Sequence, residues 1–258
     1  ILNYLSFVFS GTIKLLSIKE KFDRIIVFAP SPITVGIIGI FAAKRFKAKS
    51  YLWIHDLWPA SVLSTGAINN SLIIYIIDFF TRLIYKFSDL LLIQSPDFKT
   101  YLKKQKVDLK KVIYYPYYAE SFYKPEKREK KILNTFSSHF NIVFAGNIGI
   151  AQSFETIVES AEILKKSNHV VKFVIFGDGR DRKRIQLIIS QKKLESYFDF
   201  RGVIPPEQIS KQLACADALL ITLKKSDIFS YTIPAKLQSY LACGKPIIGA
   251  VDGISKKL

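Results

Sequence analysis

An α/β chain made of two doubly wound parallel-sheet domains is the fold class this sequence predicts, on three observations. Apolar, β-branched runs alternate with segments of helical periodicity from one end to the other. The alternation is interrupted once, at 115–133, and then restarts in the same style. With 258 residues and 49% hydrophobic content, the chain is long and apolar enough for two modest cores.

In order, residues 25–29 form a β-branched run, 34–46 a helix, 50–54 a strand, 72–87 a helix, 90–93 a strand, 98–105 a helix and 112–114 a short strand. This is the pattern of a parallel sheet covered on both faces. Residues 115–133 then change character: Pro116, Tyr117, Tyr118, Phe122 and Pro125 lead into the charge cluster 126–131, which reads as a linker. Domains are therefore expected at 1–125 and 126–258. After the linker come strand 141–144, helix 154–165, strand 171–176, helix 182–190, strand 198–201, helix 206–214, strand 218–221, helix 234–243 and strand 246–249. Open α/β sheets bind ligands at the carboxyl ends of their strands, so a cleft between the two domains is the expected site.

The formal net charge of +17 points to anionic partners: a nucleotide, a phospholipid surface or a lipid-linked pyrophosphate. Nucleic acid is disfavoured, because no recognition motif accompanies the charge. The basic clusters 103–111 and 127–131 read as solvated faces or linker, with contact to anionic lipid as the other use. Cys215 and Cys243 have no metal-ligand spacing and indicate no disulfide framework, so a reducing cytoplasm is expected and no metal. Two uncharged stretches, 25–43 and 57–77, are interrupted by Pro30 and Pro32 and by Pro59 and Gly66, too early for a bilayer span. The segment 72–87 is apolar all round but carries Asp78 and Arg82, so it reads as a buried helix, with an interfacial helix as the lesser reading.

The chain is organised around residues 226–249. Thr232 is placed to cap a short helix whose first position suits Pro234; Leu237, Tyr240 and Leu241 recur at helical spacing, Gly244 ends it and Pro246 precedes a strand. Such a start leaves the N–H groups near Ala235 and Lys236 unpaired beside an ammonium, which suits an anion. Two further loops follow strands. One is Gly146-Asn147-Ile-Gly149 running to Gln152, where the amides donate without adding charge. The other is Gly177-Asp178-Gly179-Arg180, too short in glycines for a dinucleotide fingerprint. In the first half, His55-Asp56-Leu-Trp-Pro stands at a strand's carboxyl end, suited to positioning a hydroxyl or a charge.

Together, Phe144-Ala-Gly-Asn-Ile-Gly, Phe176-Gly-Asp-Gly, Phe200-Arg-Gly-Val-Ile, Ala216-Asp-Ala and Ile233-Pro-Ala-Lys-Leu through Cys243-Gly-Lys-Pro-Ile-Ile resemble family 4 glycosyltransferases in order and spacing. His55-Asp-Leu-Trp-Pro and the Pro-Ala-Lys-Leu form resemble the branch that builds bacterial O-antigen and capsule. The resemblance implies a GT-B fold, with an N-terminal acceptor domain, a C-terminal nucleotide-sugar domain and retaining transfer without a metal or other cofactor. It also implies that both ends of the chain are incomplete. The family's paired acids fall on Tyr231 and Ser239, and its donor-neutralising Arg and Lys on Asn147 and Gln152, so Lys236 is expected to take over the charge.

By that resemblance His55, Asp56 and Lys236 are the catalytic residues. The donor is expected to meet Gly146, Asn147, Gln152, Gly177, Asp178, Gly179, Arg180, Val203, Tyr231, Thr232, Ile233, Ala235 and Ser239. The expected activity moves a hexose-type residue from a nucleotide diphosphate-sugar to a lipid-pyrophosphate-linked saccharide, by an enzyme lying peripherally on the inner face of the plasma membrane. Two other readings keep the fold: a sugar-nucleotide 2-epimerase, and a non-catalytic nucleotide-sugar-binding paralogue that scaffolds a polysaccharide assembly complex.

Overall fold

The computed structural model describes residues 2–66, 68 and 70–258. The chain parts into two compact units: Ile1–Pro116 with Ser226–Ile233, and Tyr117–Lys225 with Pro234–Leu258. Each holds one all-parallel sheet.

The first unit opens with α1 (Leu2–Ser17), a helix without a capping signal in the sequence and not expected from it; Arg45 donates to the Leu16 and Ile18 carbonyls at its end. Then come β1 (Arg24–Ala29), α2 (Val35–Phe46), β2 (Lys49–Ile54), the short α3 (Ala60–Ser64), α4 (Ser71–Phe87), β3 (Leu90–Ile93), α5 (Phe98–Lys104) and β4 (Val112–Tyr114). The strand order β1-β2-β3-β4 follows the sequence. Leu52, Ile54, Leu91 and Ile93 bury completely against Ile84, Tyr85, Phe98 and Leu102, which fixes α4 and α5 on the sheet.

Helix α4 starts at a side-chain cap, Asn70 accepting from the Leu72 and Ile73 amides at 3.0 and 3.1 Å. Its other end is closed by Lys111, whose ammonium donates to the carbonyls of Tyr85, Lys86 and Ser88. Burial holds that lysine's pKa below its ordinary value. At Lys111 the basic cluster 103–111 is therefore structural rather than solvated. The expectation of a buried helix at 72–87 is also corrected: α4 buries one stripe, Thr81, Ile84 and Tyr85, while Leu72, Tyr75, Ile76, Phe79, Phe80 and Phe87 stay exposed. Counting apolar residues hid a periodicity that only the buried stripe reveals. Among the described residues, no helix is long and apolar enough to cross a membrane.

The second unit contains α6 (Lys130–Leu133), β5 (Phe140–Ala145), α7 (Phe154–Lys166), β6 (Val171–Phe176), α8 (Arg182–Gln191), β7 (Phe198–Gly202), α9 (Pro206–Ala214) and β8 (Ala218–Thr222). The chain then lends α10 (Asp227–Ser230) to the first unit, where Ile228 joins the core, and returns for α11 (Ala235–Ala242), β9 (Ile247–Ala250) and α12 (Ile254–Lys257). Strand order is β7-β6-β5-β8-β9, and Phe144, Phe154, Val174, Ile175, Ile185 and Leu219 are fully buried around it. Both cysteines are buried and free.

The start of α11 differs from the sequence expectation. Pro234 takes the N-cap position at φ −67°, ψ 133°, and no side chain caps the helix. Thr232 does not cap it; its hydroxyl donates to the Ile228 carbonyl at 3.0 Å, finishing α10. The other end is as expected: Gly244 turns out at φ +63°, a conformation that favours glycine.

Candidate functional site

In the second unit, the loops leaving β5, β6 and β7 are laced by main-chain hydrogen bonds. The Gly146 amide donates to Phe176 O at 2.9 Å, Ile148 to Asp178 O at 2.9 Å, Asp181 to Ile148 O at 3.1 Å and Gly177 to Gly202 O at 2.7 Å. Such spacing explains the glycines. A Cβ on Gly177 would lie 2.0 Å from the Gly146 oxygen, and one on Gly179 would lie 2.1 Å from the Ile148 oxygen. Gly177 and Gly179 thus serve the approach of loop to loop.

Below this frame lie two hollows that share Tyr123 and Ala145 as a wall. The larger, about 310 Å³, is lined by Gly146, Asn147, Gly177, Asp178 and Val203 from the sequence prediction, together with Ile204, Pro206 and Ile209. The smaller, about 210 Å³, contains the predicted Ala235, Lys236 and Ser239, with Tyr117, Glu120 and Tyr240. Helix α11 is tied there by Tyr240, whose hydroxyl accepts from the Ala145 amide at 2.8 Å. A further hollow, about 700 Å³, between α11, β9 and α12 contains none of the predicted residues.

Lys236 has no hydrogen-bond or ion-pair partner among the described residues. Its ammonium stands 3.4 Å from the centre of the Phe144 ring, and a Cβ on Gly146 would lie 2.9 Å from it. Gly146, at φ +145°, is therefore the gap that brings this nitrogen from the smaller hollow to the edge of the larger. Desolvation lowers its pKa to about 7. A cation stacked on a ring and stripped of water, with no counter-ion, is a strong receptor for an anion.

The remaining predicted residues are placed as follows. Asn147 donates to Gln152 at 3.4 Å, so the two amides are paired; Asp178 accepts from the Gly179 amide at 2.8 Å and sits 3.6 Å from Arg182; Arg180 is exposed and lines neither hollow. Tyr231, Thr232 and Ile233 belong to the first unit, where Tyr231 packs on the core and Ile233 is buried. Among the described residues, no group of three or more His, Cys, Asp or Glu side chains is placed to hold a metal ion.

His55 and Asp56 follow β2 in the first unit. The His55 amide donates to Ala29 O at 3.3 Å, and its ring packs edge-on against Phe28 at 4.5 Å and tilted against Trp53 at 4.7 Å. Burial pushes its pKa down to about 4 and that of Asp56 up to about 6. Burial thus favours the uncharged imidazole, which suits the positioning of a hydroxyl. Sequence reasoning missed Tyr117, Glu120 and Tyr123, which it assigned to the linker; the density of tyrosines there was the available signal.

Comparison with known proteins agrees with this architecture. The family described as "Glycosyl transferases group 1" matches residues 125–257. A probable glycosyltransferase, WbjE, of Pseudomonas aeruginosa is 23% identical over 79% of this chain and 51% of its own length. The amylovoran biosynthesis glycosyltransferase AmsK of Erwinia amylovora is 24% identical over 49% of this chain and 31% of its own. Among solved structures, Anabaena HepE with UDP and glucose superposes with a TM-score of 0.70 at 13% identity, covering 98% of this chain and 64% of that one. Sucrose-phosphate synthase from Thermosynechococcus elongatus gives 0.73 at 16%, covering 97% and 61%. The chain thus has the GT-B fold and spans about half or less of the curated relatives' length and under two thirds of the solved ones.

Proposed function

The chain belongs to the glycosyl transferases group 1 family, and on that premise we propose that it moves a sugar from a nucleotide diphosphate-sugar to a polyprenyl-pyrophosphate-linked saccharide during bacterial surface-polysaccharide synthesis. The observation that carries the proposal is the desolvated Lys236 ammonium at the open backbone of Gly146, with the amides that begin α11 beside it. The names of WbjE and AmsK and the UDP held by HepE support the substrate class.

In this reading Lys236 and the α11 amides offset charge as the nucleoside diphosphate departs. A well-placed donor in a dry site contributes ~3 kcal/mol there. The departing oxygen accepts the acceptor's proton on the same face, which retains the anomeric configuration without a covalent intermediate or a metal ion. His55, neutral, orients a sugar hydroxyl, and Asp56 orients the sugar or an acceptor hydroxyl. The test is incubation with a panel of nucleotide-sugars, with and without polyprenyl-linked acceptor. Acceptor-dependent diphosphate release and an α-configured product from an α-configured donor are expected. Binding without release would leave the chain a nucleotide-sugar-binding scaffold.

The site of work is the inner face of the plasma membrane, reached through α4. Its six exposed apolar side chains form one outward face, and Lys44 and Lys86 hold their ammonium groups 5.5 and 5.9 Å from the Phe87 ring, where anionic headgroups would meet them. Sedimentation with phosphatidylglycerol-containing vesicles is expected to fall at least about fivefold in the Phe79→Ser, Phe80→Ser double variant. Equal sedimentation of both proteins would remove α4 from the membrane contact.

A further inference from the structure

Resting on the nucleotide-sugar reading of this site, we propose that Glu120 holds the vicinal diol of the nucleotide, supplying from another part of the chain the carboxylate that the family pattern places at Ser239. The two residues line the same small hollow, although they come from distant segments. Glu120 precedes a tight turn in which the Tyr123 amide donates to its carbonyl at 2.9 Å, and Ser210 fastens that turn by donating to Phe122 O at 2.6 Å. The glutamate is thus held on the second unit.

The lining of the hollow tells what it takes. Lys236 is its cation and Glu120 its carboxylate; Tyr117, Tyr123 and Ser239 add hydroxyls and two aromatic faces. The Tyr117 hydroxyl reaches Glu120 at 3.5 Å, and Tyr123 lines the hollow together with Ser239. Burial raises both phenols' pKa values, and the charge of Glu120 adds to that, so its field reaches both walls. A carboxylate repels phosphate and accepts two hydroxyl protons side by side. The ammonium does the reverse. A ligand satisfying both carries a phosphate on one side and neighbouring hydroxyls on the other, as a ribonucleotide does. The shared wall of Tyr123 and Ala145 places the larger hollow next to it for the base.

The test is calorimetric binding of UDP, GDP, ADP and CDP to the full chain, then of the best binder's 2′,3′-dideoxy analogue and parent nucleoside. The native protein is expected to bind the dideoxy analogue about tenfold more weakly, as loss of hydrogen bonds to a charged group implies. Glu120→Gln should shrink that ratio to under about threefold while keeping the preference for diphosphate over nucleoside. Adding Ser239→Glu to Glu120→Gln should restore it. An undiminished ratio in Glu120→Gln, or no loss in the native protein on removing the diol, overturns the assignment of Glu120 but leaves the diphosphate site standing. Failure of every nucleoside diphosphate to bind overturns the site itself.

Discussion

Lys236→Met is expected to slow sugar transfer by about a hundredfold or more and, at the same time, to raise the melting temperature at neutral pH. Catalytic loss follows if Lys236 meets the leaving diphosphate as proposed above. Gain in stability follows from its surroundings: an ammonium above Phe144, without an anion, is a charge taken out of water at a cost. Its folded pKa is about 7, against an ordinary value of 10.5. Between those values the unfolded chain binds more protons, so stability rises with pH from about 7 to about 10.5, and the full penalty applies below 7. Methionine abolishes that slope and stabilises by on the order of 2 kcal/mol near pH 7, after a discount for the residue's partly open flank. For a chain of this length that is ~4 °C or more. Melting curves of both proteins at pH 6, 7.5 and 9 decide it; a variant less stable than the native protein at pH 6 would show that the charge is well solvated. Binding of a diphosphate should then take up a proton, with affinity weakening as pH rises above 7.

Gly177→Ala should be severely damaging to the second unit. The added methyl would lie 2.0 Å from the oxygen and 2.9 Å from the carbon of Gly146, on a residue at φ +125°. Both neighbours are backbone, so neither can rotate away. A loss above ~3 kcal/mol is expected, combining a forbidden conformation with broken packing. Gly202→Ala is the control: its φ is +73°, yet nothing lies within 4 Å of the new carbon, so only about 1 kcal/mol should be lost. Denaturant midpoints for the two variants measure the difference. Equal losses would mean that the loops do not pack as tightly as their spacing implies.

What the sequence disclosed and what it concealed divide along one physical line. Gly244, Pro246 and the Leu237–Tyr240 spacing located the end and inner face of α11, because those signals act within a few residues. Thr232 misled: local spacing made it a cap, whereas α10 claims its hydroxyl. The strands were legible from their β-branched runs, although the expected cover on both faces does not extend to the first sheet, where Ile26, Phe28 and Ile113 stay exposed. On α4 the same density of apolar residues suggested burial, although much of the helix faces outward. Lys236 was legible as a candidate from its place in the first turn. Glu120 was not, because only folding brings the 117–123 segment beside Ser239 and Lys236.

The lacing of the β5, β6 and β7 loops runs from main chain to main chain. The Asn147 and Val203 side chains therefore project from a scaffold whose main-chain bonds they do not make, whereas the Asp178 carboxylate also holds the Gly179 amide. If the nucleotide lies there as proposed, substitution at Asn147 and Val203 should retune which base is accepted without disturbing the frame, a separation of permanence from choice.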